Sequence, residues 1–107
     1  MKKVFLLEVD PLMFKAWEVQ LKNSSWELYA LDCVEDFSFR VHDFGPDLIV
    51  VSDRAFALKP DVSSDIPMIL LGDSKSELEI PFVRKWEKPL DISNLESLLD
   101  KEWETIS

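Results

Sequence analysis

Two rhythms of apolar and polar residues alternate along this chain. Short apolar runs, VFLLEV (4–9), LIVV (48–51) and PMILL (67–71), suit strands covered on both faces. Two further segments, WELYAL (26–31) and FVRKW (82–86), read as strands of more mixed character. Between them, apolar residues recur at helical spacing. Met13, Ala16, Trp17 and Leu21 follow Pro11, a residue suited to a first helical turn. Val34, Phe37, Val41 and Phe44 follow Asp32, which is expected to cap a second helix with Glu35 three residues on, and Gly45-Pro46 ends it. A last helix is expected to begin near Asp91, with Ile92, Leu95, Leu98 and Leu99 on one side.

Strands that alternate with helices imply βαβ units and a parallel sheet with helices on both faces. Five strands fit an α/β, flavodoxin-like, doubly wound arrangement with strand order 2-1-3-4-5. The chain, residues 1–107, reads as a single domain without repeats or linkers. In such folds ligands and chemistry gather at the carboxyl ends of the strands. That places Glu8, Val9, Asp10, Ser52, Asp53, Gly72, Asp73 and Lys88 around one crevice.

Composition narrows the function classes. Two glycines nearly exclude a glycine-rich phosphate cradle. A net charge of -9 argues against non-specific nucleic-acid binding and against an anionic membrane surface. The opening apolar run is too short for a membrane span, and the one cysteine, Cys33, cannot form an internal disulfide, so a cytoplasmic location is expected.

Four stretches, taken together, carry a resemblance. LLEVDPL, PDLIVVS, IPMILLG and KPLDISNLESLL resemble, in order, the acidic opening, the acceptor strand, the fourth strand and the lysine-proline turn of the receiver domains of two-component response regulators. The resemblance spans nearly the whole chain. It implies a CheY-like domain in which paired acids and an aspartate bind magnesium and the aspartate accepts a phosphoryl group from a histidine kinase. A Thr or Ser hydroxyl and a lysine contact the phosphoryl oxygens. The chemistry demands several hard oxygen ligands and compensating positive charge.

Carried over residue by residue, most of that chemistry is missing. Glu8 falls on the first acid and Val9, which cannot ligate a metal, on the second. Ser52 falls on the phosphoacceptor and Gly72, with no hydroxyl, on the Thr/Ser position; Lys88 with Pro89 matches. Asp53 becomes the acceptor only by a one-residue slip, which turns every side chain of the strand to the other face. The 19 residues between Ser52 and Gly72, and the 15 between Gly72 and Lys88, are short for the pattern, so the third and fourth helices are expected to be shortened.

Glu8 and Asp10 read as solvated carboxylates before a residual cation site. Lys88 reads as a salt-bridge partner of Glu8 or Asp53 before an anion holder. His42, near a helix end, has no second ligand near it in sequence. Cys33, near an expected helix start, has either a lowered pKa or, on the blander reading, the character of an inert buried thiol. Trp26, Trp86 and Trp103 look hard to bury in so small a domain, and Phe82, Lys85 and Trp86 form a candidate interface.

The expectation is a degenerate receiver (pseudo-receiver) in signal transduction, not an enzyme and without a cofactor. It binds a protein partner or dimerises without phosphorylation. The alternative is a working receiver that uses Asp53 with Glu8, Asp10 and magnesium. A third reading, a small-ligand-binding flavodoxin-like domain, is weakened for phosphate-bearing ligands by the scarcity of glycine and basic residues at the crevice.

Overall fold

The computed structural model describes residues 2–61, 65–72, 82–87 and 90–106. Strands β1 (Lys2–Leu7), β2 (Trp26–Leu31), β3 (Leu48–Ser52), β4 (Met68–Leu71) and β5 (Phe82–Trp86) form one all-parallel sheet in the order β2-β1-β3-β4-β5. The expected flavodoxin-like order 2-1-3-4-5 is the one present. Helices α1 (Pro11–Leu21), α2 (Phe37–Phe44), α3 (Asp53–Phe56) and α4 (Leu95–Ile106) complete the chain, with a 3-10 turn over Ile92–Asn94 before α4. None of the described helices is long and apolar enough to cross a membrane.

Alternation along each strand splits the apolar residues between two cores. Val4, Leu6, Leu48, Val50, Ile69 and Leu71 point to the face covered by α1 and α4, where Trp17, Leu21, Leu95 and Leu99 meet them. Phe5, Leu7, Ile49, Val51 and Met68 point to the other face, under Phe37 and Val41 of α2 and Ala55 of α3. All five residues of β3, Leu48 to Ser52, are buried, which explains why its sequence shows no polar alternation.

The end of α2 follows its sequence signal closely. Gly45 takes a left-handed conformation (φ 64°) and its N–H donates to the Val41 carbonyl at 2.9 Å. The start of α2 does not. Residues 32–36 form bends and turns, and Asp36, not Asp32, precedes the helix without a side-chain cap. These five residues carry the chain from the edge strand β2 onto the second face, with Val34 packed on that core, and the crossing consumes the turn that an earlier start would need. Helix α3 is a single turn, shortened as the spacing predicts. The helix expected between β4 and β5 lies outside the described residues.

Trp86 also corrects an expectation. It is only 8% exposed, sits in the first core, and its indole N–H donates to Glu102 Oε1 at 3.2 Å. Helix α4 lies over that face and supplies both the apolar cover and the acceptor, so Trp86 is no exposed interface anchor. Trp26 is likewise buried, its ring edge-on to Trp103 at 6.4 Å between centroids. Lys85 of β5 is exposed.

Candidate functional site

The crevice forms where β1, β3 and β4 end side by side. Strand β1 stops at Leu7, two residues before its expected end, so Glu8, Val9 and Asp10 belong to the connection into α1. The Glu8 N–H donates to the Leu31 carbonyl at 3.0 Å, and its side chain is fully buried. This corrects its reading as a solvated carboxylate: the extra bond to β2 draws the residue in below the surface. Val9 packs against the second core. Asp10 caps α1, its Oδ1 accepting from the Leu12 N–H at 3.0 Å.

Ser52 ends β3, opposite Leu71 of β4, and is fully buried. Its Oγ accepts from the Ala55 N–H at 3.1 Å, which makes it the N-cap of α3. Asp53 is the first residue of α3, and its Oδ1 accepts from the Arg54 N–H at 2.8 Å. The Asp53 carboxyl group lies over Gly72. A Cβ built on Gly72 would fall 2.5 Å from both Asp53 Cγ and Oδ2. Gly72 is buried with φ 108°, a backbone conformation side chains disfavour, and its N–H donates to the Trp86 carbonyl at 2.7 Å.

A hard cation needs several converging oxygens. Val9 turns into a core, Asp10 is engaged at a helix start, and among the described residues no three His, Cys, Asp or Glu side chains gather to hold a metal. Asp73, Lys88 and Pro89 lie outside the described residues.

Asp53 and Gly72 are each visible in the sequence as departures from a pattern, but not their contact. The available signal was the pairing itself: a residue without a side chain at the end of one strand and an acid just past the end of its neighbour.

The arrangement of the sheet can be matched to known structures. The N-terminal domain of the nisin resistance regulator NsrR, a lantibiotic response regulator, superposes with a TM-score of 0.74 over 96% of this chain and 98% of its own, at 18% identity. A response regulator from Desulfuromonas acetoxidans gives 0.77 over all of both chains at 15% identity. The fold is that of a response-regulator receiver. HP1043, an orphan response regulator of H. pylori, gives 0.72 over 95% of this chain and 96% of its own, at 20% identity. No protein-family model and no curated protein matches the sequence. The chain thus shares the fold of these receivers with little of their sequence.

Away from the crevice, the other candidate residues are plain. His42 is exposed in the last turn of α2. Cys33 is half-buried, and its partial burial, followed by the carboxylates of Glu35, Asp32 and Asp36, pushes the thiol above its ordinary value. No helix starts beside it to lower that value, which corrects the sharper of its two readings.

A second set of polar contacts fastens α4 to the sheet. Asp100 Oδ1 accepts from Trp26 Nε1 at 2.8 Å and from Lys2 Nζ at 3.0 Å. Glu96 Oε2 accepts from the N–H and Oγ of Ser25, both at 3.0 Å. Glu102 is largely buried and pairs with Arg84 Nε at 3.0 Å. Burial acts to raise the Asp100 carboxyl group, but the hydrogen bonds from Lys2 and Trp26 and the Lys2 charge outweigh it and hold the group below the ordinary carboxylate range.

Proposed function

We propose that the chain is a receiver-like module of signal transduction that engages a protein partner, or a second copy of itself, without accepting a phosphoryl group. The observation that carries this reading is the state of Ser52. The side chain at the acceptor position is fully buried, and its hydroxyl is committed to the Ala55 N–H. An in-line phosphoryl transfer needs an accessible nucleophile, a metal to neutralise charge and groups to hold the transferred oxygens. Val9, Ser52 and Gly72 supply none of these.

The alternative acceptor, Asp53, sits in the first turn of α3 with one oxygen on the Arg54 N–H and its carboxyl group against Gly72. Intact-mass spectrometry after incubation with acetyl phosphate and magnesium tests the reading. No adduct is expected under conditions that label a working receiver. An adduct removed by Asp53→Asn or Ser52→Ala would overturn the proposal and identify the acceptor.

A further inference from the structure

The geometry points to Asp53 as an internal latch: its carboxyl group fills the side-chain volume missing at Gly72 and pins the β3–α3 junction to the end of β4. This rests on the reading of the chain as a receiver-fold module that does not transfer phosphoryl groups, and it says how such a module holds its strand ends in one arrangement without a signal. Three observations converge. Ser52 and Leu71 are register partners, so the residues that follow them, Asp53 and Gly72, leave adjacent parallel strands at the same level. A Cβ on Gly72 would lie 2.5 Å from Asp53 Cγ, closer than real contacts allow, so the carboxyl group occupies that volume. Gly72 at φ 108° also disfavours any side chain, so the space stays open to its neighbour.

The latched residue is connected onward. The Gly72 N–H bonds to the Trp86 carbonyl at 2.7 Å, and the Trp86 indole N–H bonds to Glu102 of α4 at 3.2 Å. Releasing Asp53 therefore loosens Gly72 and, through Trp86, the contact with α4. Coupling through a contiguous set of packed and hydrogen-bonded groups is a physical claim only if a perturbation at one end is read at the other.

Amide and indole hydrogen exchange by NMR on the full chain provides that reading. Asp53→Ala should speed exchange at the Gly72 amide and the Trp86 indole by about tenfold, the scale expected for residues in direct contact. The Gly45 amide and the Trp26 indole, which bond elsewhere, should be unchanged. Asp53→Asn keeps the side-chain volume and should stay near wild type. Acceleration confined to the Arg54 and Ala55 amides would mean that Asp53 serves only its own helix turn, and would overturn the latch. Equal acceleration everywhere would mean a general loss of stability, and would overturn it too.

A denaturation cycle gives a second, independent reading. Gly72→Ala should depress the folding equilibrium constant about tenfold more in the wild-type background than in Asp53→Ala. Gly45→Ala, where an added Cβ meets nothing within 4 Å, should cost the same in both. Equal costs for Gly72→Ala would contradict the latch. A phosphoryl adduct on Asp53 would instead overturn the proposed function, whatever the exchange pattern.

Discussion

Asp100 allows a quantitative test of how α4 is held. One carboxylate oxygen accepts from two donors of unlike character. Trp26 is 2% exposed, and its indole N–H has Asp100 as its acceptor. Leaving such a donor unsatisfied costs about 1–3 kcal/mol. The Lys2 pair is different: its side chains are 33% and 40% exposed, and solvent-exposed pairs contribute about 0–1 kcal/mol. Asp100→Ala removes both and should destabilise by about 1–4 kcal/mol, most of it from the indole donor. Asp100→Asn keeps an oxygen for Trp26 and loses only the charge, so it should cost less than about 1 kcal/mol.

Urea denaturation followed by tryptophan fluorescence measures both variants, with the midpoint shift at constant slope giving the difference. The pH dependence adds a sign. Because the folded-state carboxyl group is held below its ordinary 3.8, its charge stabilises the fold fully above that value, and the effect fades as pH falls through the lower folded value. The Asp100→Asn penalty should therefore be present at pH 6 and shrink below about pH 3.8. Equal penalties for Ala and Asn would refute the assignment of the larger share to Trp26. A charge penalty that grows on acidification would refute the linkage.

Three further outcomes follow from the structure. Trp86→Ala should destabilise by about 3–5 kcal/mol by thermal denaturation, as expected for truncating a buried aromatic residue; a cost under about 0.5 kcal/mol would mean a surface residue. Ser52→Ala should cost about 1 kcal/mol by urea denaturation through loss of the α3 cap, with Ser52→Gly costing only a few tenths. Cys33 should alkylate with iodoacetamide more slowly at pH 7.5 than a free cysteine, because its thiol is pushed upward; faster labelling would contradict the acidic environment of residues 32–36.

The parts of the fold that were legible in the sequence are those governed by local periodicity. The β5 bounds, the buried β3 run and the Gly45 stop each depend on a few adjacent residues, and the structure has them where the pattern places them. The start of α2 was not legible, because Asp32 and Glu35 form a sound capping pattern and only the crossing between faces of the sheet overrides it. The burial of Trp86 is hidden from local sequence for a similar reason. Its burial depends on α4, which begins nine residues later and brings Glu102 to meet its indole N–H.

The crevice was legible by position but not by contact. The sequence aligned Ser52 and Gly72 with the ends of neighbouring strands. Asp53 entered only as the product of a slipped register, although β3 and β4 pair without any slip at Ser52 and Leu71. Its placement against Gly72 arises from the immediate start of α3 after the strand, and from a backbone angle at Gly72 that no spacing argument supplies.

The central claim is that the strand ends form no phosphoryl site. Beryllofluoride, a tetrahedral analogue of an acyl phosphate, tests it most directly when titrated with magnesium into isotope-labelled protein and followed by NMR. The account predicts no saturable shift of the amides of residues 8–10, 52–53 and 72 beyond that caused by magnesium alone. Saturable shifts at those amides, abolished by Asp53→Asn or Ser52→Ala, would contradict it and restore the chain to the working receivers.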